Sequence, residues 1–599
     1  MLYLIKMFFF LLTLYFIFFP SPVKAVNEFN INQNINYQVD INGNANIKQE
    51  IKLSNNLSEI YPKEYQFKIF ESDIQNITAT DDLGNILQKI EKQGNDTIIY
   101  LKFNQAHVGK SQITDFSLNY QISNLAKHKG NVWEISLPEY KNINDGDDIN
   151  ISMSIPASFG NLSFSSINYQ NIVHFNNESQ IQLSTNNIKD KKILFIFGNY
   201  QIFNFDIQYF ISNPSNDIIN TEIAIPPDLS TQKIFYKKIS PPPVDIKIDS
   251  DGNWLAQYQL KPNQNLDINL SGQAKIYSST IKDENIDTEN LIKTQKYWPV
   301  DDPMIAQITQ SLNSPKDIYN YVVNTLNYDY AGLNSATRKG ALAAINSPDQ
   351  SLCTEFTDLF VTLSRAKGIP AREIEGFAYT NNPKIKPTNK NADILHAWPQ
   401  YYDKNLKSWI SIDPTWGKTT NGIDFFNDLD FNHFTFVTHG QDSQYPPPPG
   451  SYKDNKNIKT VNISFATEEF EENLTPPKIS FSKFIFLQHQ DIFISNPNLN
   501  SISDITISIP SRNWSQKIDF LPPLGQVNIN PPSVPFLKSI LPSYQKISFN
   551  IQYQKGDNPI SYSIVYPPHY INLLATIIAF ILILSLGGII LTVQKKGQK

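Results

Sequence analysis

One thiol stands out among the residues that could do chemistry: Cys353 is the single cysteine in a chain of 599 residues. A disulfide framework within the chain is therefore excluded. Cys353 opens the run Leu352-Cys353-Thr354-Glu355-Phe356-Thr357-Asp358-Leu359-Phe360-Val361-Thr362-Leu363. Phe356, Leu359, Phe360 and Leu363 share one helical face, Glu355 and Asp358 suit a helix start, and Gly368 with Pro370 suits its end. The thiol is thus expected at a helix N-terminus, where unpaired N–H groups favour a thiolate. A thiol nucleophile also needs a base within hydrogen-bond reach and a third group to orient that base. Residues 394–402 read as a strand carrying His396, and 407–416 as its hairpin partner, with Asp413 near the end. Neighbouring antiparallel strands would let Asp413 fix the tautomer of His396 and leave the other ring nitrogen for Cys353. His433 and His439, in a strand-like tail beyond, are the weaker candidates for base. Trp398 and Trp416 are candidates for lining a substrate groove, with packing beneath the hairpin as the alternative.

The chain spells nearly all its cations as lysine, yet three of its four arginines, Arg338, Arg365 and Arg372, lie close to Cys353. A planar, multi-donor cation is needed there; for Arg365 and Arg372 the expected partners are local carboxylates such as Glu373 or Glu375. With no second cysteine and no histidine pair at helical spacing, no metal site and no cofactor is expected. A formal net charge of −6 argues against a polyanion as the main partner, so nucleic acid is excluded.

Leu-Cys-Thr-Glu-Phe-Thr-Asp-Leu-Phe followed by Arg-Ala-Lys-Gly-Ile-Pro-Ala-Arg, then His-Ala-Trp around His396 and Ile-Asp-Pro-Thr-Trp around Asp413, resemble the core of the transglutaminase-like superfamily. The helix expected at 319–330 and the approach Arg338-Lys339-Gly340-Ala341 are similar to it as well. The likeness covers about 298–440. It implies an α+β papain-like domain with Cys353 as nucleophile, His396 as general base and acid, and Asp413 as orienter. Ser351 departs from it, standing where the family often has glycine. The implied reaction is acyl transfer through a thioester on a protein or peptide amide. With water as acceptor the enzyme is a cysteine protease or amidase, the preferred reading, since water is the default acceptor. With an amine it is a cross-linking transglutaminase. The alternative from another class is a non-catalytic surface interaction protein.

Around this unit the sequence lays out a multidomain chain. Residues 1–25 have the layout of a secretory signal peptide ending at Ala25. Residues 27–195 and 196–285 read as β-rich domains: 31–39 and 45–53 alternate apolar and polar around the turn Asn42-Gly43-Asn44. Asp249-Ser250-Asp251-Gly252-Asn253 lacks the later acidic ligands of a calcium loop and reads as a hairpin turn. Phe210-Ile211-Ser212-Asn213-Pro214 recurs as Phe493-Ile494-Ser495-Asn496-Pro497, which points to flanking immunoglobulin-like sandwiches, the last at 460–566 after a proline-rich linker at 445–458. In the catalytic region, Ile305, Ile308 and Leu312, then Ile318, Tyr321, Val322 and Leu326, mark two helices parted at Ser314-Pro315. Residues 571–593 are apolar and uncharged and lead into lysines at 595, 596 and 599. They are expected to form one C-terminal transmembrane helix with a cytoplasmic tail at 594–599, tethering an extracytoplasmic ectodomain to the plasma membrane. The oligomeric state is open.

Overall fold

The computed structural model describes residues 27–588 apart from short stretches, the longest being 278–287, 482–491, 532–546 and 567–576. The chain forms two compact units, one ending at Gly198 and one beginning at Asn199.

In the first unit, Phe29–Val39 and Ala45–Asn55 pair antiparallel from end to end. Ile35, Tyr37 and Val39 point inward while Asn34, Asn36 and Gln38 face out, as period-two patterning dictates. Gly43 closes the turn at φ +86°, and a Cβ there would meet the Ala126 carbonyl oxygen at 2.2 Å, so only glycine fits. These strands belong to an eight-stranded sheet, and a four-stranded sheet contributes Ile135, Phe195 and Phe197 to the same core. A three-stranded sheet adds Ile69, Ile99 and Leu101, so three sheets share one apolar centre.

The second unit begins with a β module whose two sheets are built on Tyr200–Ser212 with Asn265–Tyr277 and on Ile219–Ile225 with Trp254–Leu260. A C-terminal β module follows the mixed helix-and-sheet region at 298–440, with a core that includes Ile494, Ile505, Ile507 and Phe549. The sequence echo is a structural repeat down to its hydrogen bonds. Buried Asn213 donates Nδ2 to the carbonyls of Asp217, Leu260 and Lys261, and buried Asn496 donates Nδ2 to those of Asn500, Leu521 and Pro522. Each asparagine ties its own turn to the end of a neighbouring strand.

Two boundaries differ from expectation. Val461–Phe465, assigned to the last β domain, instead adds an edge strand to the first module by pairing with Tyr200–Ser212. The proline-rich segment is not a free spacer, because Pro446, Pro449 and Gly450 are buried and Tyr452 Oη bonds Pro447 O and Ala224 N. The expected signal peptide at 1–25 and tail at 594–599 lie outside the described residues. The expectation of a transmembrane helix at 571–593 is not met by the described part. Residues 577–588 are helical and expose Phe580, Ile583 and Leu584, but no helix among the described residues is long and apolar enough to cross a membrane.

Residues 298–440 pack helices against one sheet. Helix α1 (Pro303–Thr309) is capped by Asp302, which accepts from Met304 N, and α2 (Pro315–Thr325) by Ser314, which accepts from Asp317 N. Both carry proline in the first turn, where its missing N–H costs nothing. After α3 (Ala341–Asn346) comes α4 (Cys353–Ala366), then strands β1 (Ala371–Ala378), β2 (His396–Asp403) and β3 (Ser408–Ser411), helix α5 (Pro414–Thr419) and strand β4 (His433–His439). The antiparallel sheet runs β3-β2-β1-β4. Ile305, Ile318, Val322, Leu326, Phe356, Leu359, Phe360 and Leu363 form the shared core, joined by Tyr401 of β2 and by Ile412.

Strand β4 lies at the rim of this sheet, and its outer side is met by side chains of the preceding β module. Gln232 accepts from Thr435 N and donates to Thr435 O, while Asn253 does the same for Thr438. The turn at 249–253 closes a hairpin, and its Asp251 accepts from the N–H groups of Gly440 and Gln441.

Candidate active site

Cys353 is the first residue of α4 and is buried at 5 % exposure. Its own N–H has no intrahelical acceptor at that position. Glu355 shapes the approach by accepting from Leu352 N at 3.0 Å and Lys339 N at 2.8 Å, the carboxylate half of the pattern that fixes a helix start. Asp358, expected to share that role, is buried instead and accepts Trp298 Nε1 at 2.7 Å and the Arg338 guanidinium. Gly368, at φ +71°, and the Ile369 N–H bonding back to Ser364 O close the helix.

His396 begins β2, opposite Gly376 of β1. Its Nε2 lies 3.0 Å from Asp413 Oδ2, and both residues are buried. Asp413 is not on the hairpin strand, which ends at Ser411. It is the N-cap of α5: Pro414 cannot extend a strand pairing but suits the first helical position, and Asp413 Oδ1 accepts from Trp416 N at 2.9 Å. One carboxylate oxygen thus fixes the helix start while the other meets the imidazole. The remaining ring nitrogen, His396 Nδ1, is buried and makes no hydrogen bond.

The electrostatics are those of a charged pair. Burial opposes protonation of His396, but the charge and hydrogen bond of Asp413, with a further contribution from neighbouring Cys353, raise its pKa to about 9. Burial alone would raise the Asp413 carboxyl; His396 and His433 draw it down to about 2. These two shifts are one interaction seen from each partner.

Trp398 and Trp416 do not line an open groove. They are 1 % and 0 % exposed and stack near His396, with ring centroids 6.0 and 5.2 Å from the imidazole. Large aromatic faces on a β2 strand and an α5 turn are best satisfied by burial, and here they hold the imidazole plane. Arg365 also departs from expectation. It reaches no carboxylate, donating instead to the carbonyls of Ala371, Lys293 and Gly440 while stacked 4.3 Å from Trp298. Arg372 donates to Gln400 and stacks on Trp409. The arginine that pairs with Glu373 is Arg338, which also grips Asp358 from the side of α4 away from the thiol.

Three further groups take places at the site that the sequence reading did not give them. Tyr328 pairs across a parallel bridge with Ser351, just before the nucleophile. Its buried hydroxyl has no hydrogen-bond partner, and its pKa is raised by burial and by Cys353. The Ser351 hydroxyl is likewise buried and unpartnered. His433 meets Asp413 Oδ2 at 3.4 Å and Asp430 Oδ1 at 2.9 Å. In retrospect only the short spacing of Asp430 and His433 hinted at a pair. Two sets bring ligand-type atoms within 4.8 Å, His396 with Asp413 and His433, and Glu373 with Glu375 and His439. Both nitrogens of His433 and of His439 already face protein oxygens, so a cation would have to displace existing bonds.

Residues 300–414 match the family model of the transglutaminase-like superfamily. No curated protein matches the sequence. Among solved structures, a putative cysteine protease from Cytophaga hutchinsonii is similar at 15 % identity over 45 % of this chain and 98 % of its own, with a TM-score of 0.31. The periplasmic domain of TgpA from Pseudomonas aeruginosa is similar at 13 % identity over 37 % of this chain and 91 % of its own, with a TM-score of 0.21. At those scores the neighbours bear on neither substrate nor mechanism.

Proposed function

Residues 300–414 are a transglutaminase-like domain, and from that premise we propose that the chain is a thiol enzyme that breaks protein or peptide amide bonds through Cys353, His396 and Asp413. The observation that carries this reading is the buried His396–Asp413 contact at 3.0 Å, with the second imidazole nitrogen unpartnered beside a thiol at a helix start. His396, its pKa raised to about 9, is the imidazolium, and the nucleophilic form of a cysteine is the thiolate. The thiolate attacks the amide carbonyl carbon, and the carbonyl π electrons move to oxygen. The Cys353 N–H and the Tyr328 hydroxyl are the donors for that oxyanion. His396 Nδ1 gives its proton to the leaving amine as the C–N bond breaks, leaving a thioester. Water then attacks the thioester while His396 takes its proton, and the acid leaves as the thiolate is restored.

Hydrolysis is preferred because water is the default second substrate; an amine in its place would make the same thioester a cross-linking intermediate. The uncharged run at 571–593 followed by lysines supports membrane anchoring with the catalytic domain on the extracytoplasmic side, flanked by β modules of immunoglobulin-like type. Treatment of the full chain with iodoacetamide tests the enzyme reading. Cys353 should be labelled faster than in the unfolded chain, and His396→Ala should abolish the difference; equal rates in all three would overturn it. Incubation with a glutamine-rich protein and a fluorescent amine tests the acceptor, since incorporation without cleavage would replace hydrolysis by transamidation.

A further inference from the structure

Asp413 is not a private partner of His396. Its Oδ2 faces two imidazoles, His396 Nε2 at 3.0 Å and His433 Nε2 at 3.4 Å, and the far nitrogen of His433, Nδ1, lies 2.9 Å from Asp430 Oδ1. A neutral imidazole carries one N–H and one lone pair. Buried between two carboxylates, either neutral tautomer of His433 would aim a lone pair at an anionic oxygen. Only the cation donates on both sides. The second carboxylate is itself held: Asp430 accepts Lys386 Nζ at 2.9 Å, Asn432 Nδ2 at 2.9 Å and Asn432 N at 3.1 Å. The remaining neighbours packed on the His433 ring are uncharged, Trp416 at 4.6 Å and Trp398 at 4.9 Å between centroids, apart from His396 itself at 5.8 Å.

We propose that His433 is a positioning residue of the site, a standing imidazolium that divides the Asp413 carboxylate with His396, is anchored by Asp430 and Lys386, and so limits how strongly His396 holds its proton. The proposal rests on the reading of Cys353 and His396 as the reacting pair. Its charge balance is simple: Asp413 and Asp430 are matched by His433 and Lys386, which leaves the thiol and His396 as the groups free to exchange a proton. If Asp413 faced His396 alone, the imidazolium would be held too tightly to deliver its proton to a leaving amine at neutral pH. A neighbouring cation corrects this from behind while leaving Asp413 in place as an orienter.

The sign of the test follows from the charge. A cation beside the pair favours the thiolate and disfavours the imidazolium, so its removal raises both ionisations. At 5.8 Å and an effective dielectric near 20, the shift is about 2 pH units. The rate of Cys353 alkylation by iodoacetamide, measured against pH in the full chain, reports thiolate formation on its acid limb and loss of the imidazolium in a second step. In His433→Gln both should move to higher pH, the imidazolium step by about that amount. A lower plateau with both steps unmoved overturns the proposal, because loss of packing alone would act that way. Nitrogen NMR of the histidine-labelled wild-type chain supplies an independent readout that does not require the variant to fold. Both ring nitrogens of His433 should stay protonated at pH 8, and a neutral-imidazole pattern there overturns the proposal. If wild-type Cys353 is not labelled at all, the enzyme reading fails instead, while the His433 signal still decides this point.

Discussion

Asp413→Asn separates the two jobs of the carboxylate. Asparagine caps helices as well as aspartate does, so the bond from Trp416 N and the start of α5 should survive, while the charge opposite His396 is lost. In the native chain burial opposes protonation, and that charge, the Asp413 hydrogen bond and Cys353 together overcome it and move His396 from 6.5 to about 9, a net effect of roughly 3 kcal/mol at 1.36 kcal/mol per unit. Without the Asp413 charge, burial is opposed chiefly by the smaller Cys353 contribution, and the imidazole should become neutral at pH 7. The thiolate then loses its counter-ion, and a penalty of roughly 3 kcal/mol corresponds to a rate loss of about 10² to 10³-fold. Because Cys353 is the chain's single thiol, the mass shift on alkylation at pH 7 reads this site and no other. The variant should lose the alkaline step near pH 9 and react at the rate of the unfolded thiol, with thermal stability lowered only modestly. An unchanged rate and an unchanged alkaline step would refute the assignment of Asp413 as the group that charges His396.

Tyr328→Phe keeps the buried ring but removes the unpartnered hydroxyl; turnover of an amide substrate should fall by about 10² to 10³-fold while alkylation, which builds no oxyanion, keeps its rate. Arg338→Met leaves Asp358 and Glu373 buried without their cation, and urea denaturation should show a loss of about 3–5 kcal/mol. His396 and His439 are both raised to about 9, the latter against burial by Glu373. Groups with raised folded-state values stabilise fully below their unfolded pKa near 6.5 and lose that contribution as pH rises through 9, so the melting temperature should fall between pH 7 and 10. Asn496→Ala removes a side chain that donates to three carbonyls, and melting of the C-terminal module should drop by an amount equivalent to about 1–3 kcal/mol.

The residues proposed to react stood out because each sits in a local pattern: a thiol before a helical stripe, a histidine at the head of an apolar run, an aspartate before proline. Their mutual placement was only partly legible. The Asp-Pro pair was read as the end of a hairpin, although Pro414 pointed to a helix start, and the consequence is that Asp413 reaches His396 from a cap and not from a paired strand. Partners far apart in sequence left no trace. Glu373 lies one residue from Arg372 in the chain, yet it is paired by Arg338, 35 residues before it. Hydroxyls such as that of Tyr328 carry no periodic signal among 29 tyrosines. The repeated Asn-Pro turn was visible as letters, while its three carbonyl acceptors, spread over as many as 48 residues, were not.

The grip of Gln232 and Asn253 on Thr435 and Thr438 makes the β module part of the enzyme's solubility. Each amide offers strand β4 the donor and acceptor that another strand would offer, and so occupies the rim of the catalytic sheet with groups that cannot propagate. Cut free at residues 298–440, the catalytic domain would present those two positions as open templates for a second molecule, the usual route to intermolecular sheet growth. A fragment trimmed to 298–440 is therefore expected to form aggregates, whereas one beginning at Asn199 stays dispersed.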